Sequence, residues 1–145
     1  MAPRITPLLS PQIGFAHRGA SAYERENTMA AFELALRLGA TGIETDAWLT
    51  RDGQVVLDHD GEMGRRPFRR PIRQFDRADL PKHIPTLQDL YDLIGGDIPL
   101  SIDVKDRDGA LPIIEIARRV GTHALRNLWL CTGDLEQLIE WRTYD

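Results

Sequence analysis

Apolar and polar positions along this chain switch repeatedly between a period of two and a period near 3.6, the marks of alternating strands and helices. Residues 13–16 read as a short apolar strand, followed at once by His17, Arg18 and Gly19. Residues 28–38 read as a helix with Met29, Phe32, Ala35 and Leu36 on one face and Gly39 as terminator. Residues 42–49 read as a strand, and the Asp52-Gly53 pair predicts a hairpin returning through residues 55–58. Residues 61–80 show no period. A helix follows, capped by Thr86 and closed by Gly95 and Gly96. Residues 98–106 alternate cleanly, with Ile98, Leu100, Ile102 and Val104 on one face. Residues 110–121 read as a helix that tolerates Pro112 in its first turn. The run 127–131 reads as a strand, and Asp134 with Gln137 predicts a capping box for a helix over 135–141.

Without the hairpin's return arm, the order is β-α-β-α-β-α-β-α, the pattern of a parallel sheet with helical crossovers. Two α/β architectures satisfy it: a doubly wound open sheet, or the first four βα units of a (β/α)₈ barrel of the TIM type. No linker divides the chain. Residues 1–12 read as an N-terminal extension and 13–145 as one domain, with 61–80 an Arg-rich insertion.

Phase along the strands turns this outline towards chemistry. In the strand 42–49, Glu44, Asp46 and Trp48 share one face, and Ile43, Thr45 and Ala47 share the other. Helices cover the outside of a parallel barrel, so the two carboxylates are expected to point inward. Their mutual repulsion calls for a cation between them, and oxygen ligands favour Mg²⁺ or Ca²⁺. A solvated strand face is the plainer reading of this strand alone. The strand 98–106 repeats the pattern, with Asp103 and Lys105 on its polar face. Three inward carboxylates on two strands then read as a cation site with a fixed ammonium beside it. A two-residue Asp52-Gly53 turn would pair Arg51 with Gln54 and set His59 opposite Asp46, within reach of the same site. His17 closes the first strand much as His59 closes the hairpin.

Composition narrows the classes. The chain has 145 residues, 42% hydrophobic and 28% charged, which suits a globular domain with a sizeable core. A formal net charge of −4 argues against nucleic-acid binding by the whole surface. The single Cys131 forms no intrachain disulfide, no run is long enough for a transmembrane segment, and the N-terminus lacks a leader pattern. These features predict a cytoplasmic protein.

The stretch AHRGASAYERENTMAAFELALRLGATGIETDAWLTRDGQVVLDHD resembles the opening of the glycerophosphodiester phosphodiesterase family. The matching elements, in order, are His-Arg-Gly, Glu-Asn-Thr before a helix, Ile-Glu-x-Asp, Thr-x-Asp-Gly, Val-Val and His-Asp. IPTLQDL and LSIDVK continue the resemblance, which is clear over residues 13 to 105. It implies a (β/α)₈ barrel that cleaves glycerophosphodiesters to an alcohol and glycerol 3-phosphate. It also implies a divalent cation, Mg²⁺ or Ca²⁺, on Glu44, Asp46 and Asp103. His17 and His59 would be the acid–base pair, and Arg18 and Lys105 would contact the phosphate. Two positions depart from the pattern: Arg25 replaces a usual proline, and Asp103 a more usual glutamate.

A complete barrel of this type takes about 250 residues, so these residues are expected to form its N-terminal half. The open sheet edges leave room for self-association of two half-barrels. The alternative to catalysis is a binding or regulatory half-barrel that keeps the motifs. Arg65, Arg66, Arg69, Arg70, Arg73 and Arg77 fall in the insertion, as a lid that attracts anions or as a solvated loop. Trp48 either lines the pocket or packs under that loop.

Overall fold

A computed structural model describes residues 11–65 and 67–144. The expected extension, 1–12, therefore lies almost wholly outside the described residues, as does Arg66. Four parallel strands form the main sheet: β1 (Phe15–His17), β2 (Gly42–Leu49), β6 (Leu100–Val104) and β7 (Leu128–Cys131), in that spatial order. The short strand β3 (Val55–Leu57) pairs antiparallel with the end of β2. Helices α1 (Met29–Arg37), α2 (Leu87–Ile94), α3 (Ala110–Val120) and α5 (Leu135–Trp141) follow the strands. The sheet is the first four βα units of a (β/α)₈ barrel, with sequential parallel strands as neighbours.

Local chemistry accounts for most of the boundaries. Thr86 and Asp89 make a full capping box at α2: the Thr86 hydroxyl accepts from Asp89 N, and the Asp89 carboxylate accepts from Thr86 N. Thr28 caps α1 by accepting from Ala31 N. At α5 the box is only half made. Asp134 accepts from the Glu136 and Gln137 N–H groups, while the Gln137 side chain returns to the Asp134 carboxylate. Strand β1 starts two residues later than expected and takes His17 into the ladder, paired with Glu44. Gly121 (φ 146°) ends α3, and the chain turns into an additional short helix, α4 (Thr122–Arg126), which periodicity did not indicate.

The outward face of β2 behaves as predicted: Ile43, Thr45 and Ala47 are buried beneath the helices. Ile43 and Ala47, together with Phe32, Leu87, Leu90, Leu100, Ile102, Val104 and Ile113, build the main core. A second cluster of Val56, Ile72, Leu80 and Ile84 lies under the insertion, with Trp48, Met63 and Phe75 packed against it. Trp48 thus packs under the loop, and Gly61 lies directly on its indole. The insertion itself is folded: β4 (Glu62–Met63) and β5 (Arg70–Pro71) form a two-stranded hairpin ahead of two single 3₁₀ turns. Among the described residues, no helix is long and apolar enough to cross a membrane.

Candidate functional site

The C-terminal ends of β1, β2 and β6 bring the expected residues to one end of the sheet. Asp46 and Asp103 are direct partners across β2 and β6, and Glu44 is the partner of His17 across β1 and β2. Asp46 is the most buried of these groups, 2% exposed. Charged and polar neighbours crowd around it. Arg18 Nε lies 3.4 Å from its Oδ2, Lys105 Nζ 3.1 Å from its Oδ1, and Asn27 Nδ2 donates to Oδ2 at 3.0 Å.

The loop after β1 is built to deliver two of these contacts. Arg18 (φ 57°) and Asn27 (φ 54°) both take the left-handed conformation, and the Asn27 N–H closes the loop on Arg18 O at 3.1 Å. Gly19 (φ 78°) sits where any Cβ would come within 2.9 Å of the Ala31 backbone and side chain, so the loop fits against α1 only with glycine there. Arg18 N donates to the Glu44 carboxylate at 3.1 Å, and the guanidinium reaches Glu26 at 3.0 Å. Asn27 uses both ends of its amide, since its Oδ1 accepts from Thr45 Oγ1 at 2.7 Å. From the sequence, Asn27 falls in the Glu-Asn-Thr element and Thr45 on the outward face of its strand, and neither is given a role. The available signal was Asn27 itself, a polar residue next to a helix cap in a loop that already carries Arg18.

Burial raises the Glu44 carboxyl above its ordinary range; the N–H bond from Arg18 opposes the rise and the charge of Asp46 adds to it. Burial pulls the Lys105 ammonium down, but hydrogen bonds to Asp103 and Asp46 outweigh it and leave the pKa raised. His17 Nε2 is 3.8 Å from Glu44 Oε2, with its side chain 67% exposed into the open end of the sheet.

Two expectations need correction. First, the hairpin turn has three residues, Arg51, Asp52 and Gly53, not two. Thr50 N donates to Gln54 O at 3.0 Å, Gln54 N donates to Thr50 Oγ1 at 2.8 Å, and Gly53 takes φ 76°. The threonine hydroxyl and the left-handed glycine stabilise the longer loop. The register therefore moves by one residue, to Leu49 with Val55 and Ala47 with Leu57. Asp58, not His59, follows on opposite Asp46, and its N–H donates to Asp46 O at 3.2 Å. His59 stands beyond the strand, with Nδ1 3.0 Å from Asp60 Oδ1.

Second, the three carboxylates do not form one group. Lys105 Nζ bridges Asp46 and Asp103, the latter at 2.5 Å, and neutralises the repulsion that their register creates. Among the described residues, no three His, Cys, Asp or Glu side chains are grouped to hold a metal ion. The donor chemistry still suits a hard cation: Glu44 and Asp46 are carboxylates two residues apart on one face of β2, near enough for the charge of Asp46 to add to the rise that burial gives Glu44.

Two arginines of the insertion, Arg69 and Arg73, are paired with carboxylates around this end of the barrel. Arg69 meets Asp60 and Glu62, and Arg73 meets Asp106 and Asp108. Arg70 lies over the Phe75 ring at 4.7 Å.

Charged side chains gathered at the C-terminal strand ends of a (β/α)₈ barrel define a barrel protein with its functional site in the usual place for the fold. Residues 17–113 match the glycerophosphoryl diester phosphodiesterase family model, and the chain belongs to that family. A glycerophosphodiester phosphodiesterase of Caldanaerobacter subterraneus is 36% identical over 116 residues, which is 69% of this chain and 48% of that protein. The crystal structure of the glycerophosphodiester phosphodiesterase from Thermotoga maritima superposes with a TM-score of 0.79 at 31% identity, over 90% of this chain and 58% of that one. A phosphodiesterase from Oleispira antarctica, solved with the product sn-glycerol-3-phosphate, gives a TM-score of 0.78 at 23% identity, over 91% and 62% of the two chains. The chain thus spans about half the length of the Caldanaerobacter relative.

Proposed function

We propose that this domain hydrolyses glycerophosphodiesters to an alcohol and sn-glycerol 3-phosphate. The observation that carries the reading is the convergence of two cations, Arg18 and Lys105, on the buried Asp46, beside a strand-end histidine. A phosphodiester is anionic and its leaving alkoxide is poor, so fixed positive charge and proton transfer are what its cleavage needs. Arg18 and Lys105 would neutralise the non-bridging oxygens as charge builds in the transition state. His17 and His59 would divide the proton work: one removes a proton from the nucleophile, either water or the substrate's own adjacent hydroxyl, and the other protonates the departing oxygen. Where the hydroxyl attacks, water then opens the cyclic phosphate to glycerol 3-phosphate. An unperturbed imidazole titrates near neutral pH and suits either role.

Glu44 and Asp46 would hold Mg²⁺ or Ca²⁺, and Asp103 would join them only once the Lys105 bridge to Asp46 and Asp103 opens. A divalent cation bound there would supply Lewis-acid charge against the phosphate oxygens. The alcohol of the substrate would be read by other parts of the barrel mouth.

Release of glycerol 3-phosphate from glycerophosphocholine by a complete barrel tests the reading. His17→Ala and His59→Ala should each lower kcat by roughly 10²–10⁴-fold, the usual worth of a positioned acid or base. Binding of the cation, followed by calorimetry, should hardly change in either variant. Unchanged kcat in either would remove that histidine from the mechanism.

A further inference from the structure

Between β4 and β5 the sequence runs Arg65-Arg66-Pro67-Phe68-Arg69-Arg70, and of these the structure describes Phe68 at the hairpin tip with Arg65 before it and Arg69 and Arg70 after it. Phe68 is 82% exposed, more than any other large hydrophobic side chain described. A single exposed phenylalanine needs no explanation in a soluble domain. This one stands out because the hairpin does not use it. The apolar footing of the insertion is complete without it: Met63, Phe75 and Trp48 pack on Val56, Ile72, Leu80 and Ile84.

Charge is segregated in the same place. Residues 61–73 carry five arginines and one acidic residue, Glu62, in a chain of net charge −4. Arg73 and Arg69 are held by carboxylates, while Arg65 and Arg70 stand exposed on either side of Phe68, Arg70 resting over the Phe75 ring and bonded to the neutral Gln74. Guanidinium groups around a protruding aromatic match the two layers of an anionic bilayer surface, phosphates outside and acyl chains beneath.

We propose that this hairpin tip docks on anionic phospholipid surfaces, with Phe68 entering the acyl boundary and Arg65 and Arg70 meeting lipid phosphates. The hairpin is tied to the candidate site. Arg69 Nη1 is 3.3 Å from Asp60 Oδ2, and Asp60 Oδ1 is 3.0 Å from His59 Nδ1. Docking at the tip therefore brings the mouth of the barrel to the membrane surface. The proposal does not depend on the chemistry of the site, because binding is read without substrate.

Flotation of the intact protein with vesicles tests it, comparing phosphatidylcholine mixed with phosphatidylglycerol against phosphatidylcholine alone. The mixed vesicles should bind the protein and the neutral ones should not. Phe68→Ser should lower partitioning about tenfold, the low end for removing a buried phenyl group, and Arg65→Ala about fivefold. Thermal melting and turnover of a soluble glycerophosphodiester should stay unchanged in both. In Phe68→Trp, the added indole should shift its emission to the blue when mixed vesicles are present. Equal partitioning of wild type and Phe68→Ser would overturn the proposal. So would an unshifted Phe68→Trp spectrum. Release of the vesicles by saturating glycerol 3-phosphate would also overturn it, since the lipid phosphates would then be bound in the substrate site.

Discussion

Removing the Asn27 side chain should cost far more than one loop residue normally does. Asn27 is 3% exposed and its amide links Thr45, which is wholly buried, to Asp46. Asn27→Ala leaves the Thr45 hydroxyl without its acceptor, a cost of about 1–3 kcal/mol. It also removes a donor to a buried carboxylate, worth about 1.5–3 kcal/mol. At φ 54°, alanine adds the left-handed penalty that asparagine largely avoids, about 1 kcal/mol. The three effects share one network and do not simply add, so the expected loss is about 3–5 kcal/mol against a typical total of about 5–15. Urea unfolding followed by tryptophan fluorescence measures it. Asn27→Gly should recover about 1 kcal/mol of the loss, because only the backbone penalty is relieved. A cycle with Thr45→Val isolates the rest: Asn27→Ala made in that background should cost about 1–3 kcal/mol less. If Asn27→Ala and Asn27→Gly both fall within about 0.5 kcal/mol of wild type, the amide is not the clasp described and the reasoning fails.

Three further outcomes are expected. Lys105→Met should raise Mg²⁺ or Ca²⁺ affinity in calorimetry by about tenfold or more, since a unit charge at about 4 Å is worth about 4 kcal/mol at an effective dielectric of 20, before solvent screening; Asp46→Asn should abolish binding. Hydrogen bonds from the first turn of α5 hold the Asp134 carboxyl below its ordinary 3.8, so its stabilising effect is full above 3.8 and is lost as pH falls through the lowered folded value. Amide exchange in Leu135–Trp141 should then accelerate in acid for wild type and show no such pH step in Asp134→Asn. Glycerol 3-phosphate release should be negligible from a sedimentation-defined monomer of these 145 residues, and robust turnover by that monomer would show that four βα units suffice.

What the sequence disclosed about this fold was local or periodic. The alternation that set Glu44 and Asp46 against Ile43, Thr45 and Ala47 needs only a strand and a covered face, and both are present. Thr86 and Asp89 lie three residues apart and cap a helix without help from the rest of the chain. Contacts that depend on two elements meeting were hidden. The Lys105 bridge exists because Asp46 and Asp103 fall at the same level of neighbouring strands, and parallel register is not written in either strand alone. The Asn27 clasp joins a loop to two successive residues of β2, one of them on the face read as apolar.

The one-residue error at the hairpin has the widest consequence. Opposed positions in an antiparallel pair share a face, so a slip of one residue exchanges every partner. With Asp58 following on opposite Asp46, the sheet does not aim His59 at all. Its setting comes instead from the turn that follows β3. There Gly61 N donates to the Asp58 carboxylate at 2.8 Å, and Asp60 holds the imidazole on one side and Arg69 on the other. His17 is fixed differently, as the last rung of a parallel ladder beside Glu44. The two histidines of the proposed acid–base pair thus rest on unlike supports, one on the sheet and one on a loop braced by the Arg-rich insertion. Anything that shifts that insertion would act on His59 and leave His17 where the sheet holds it.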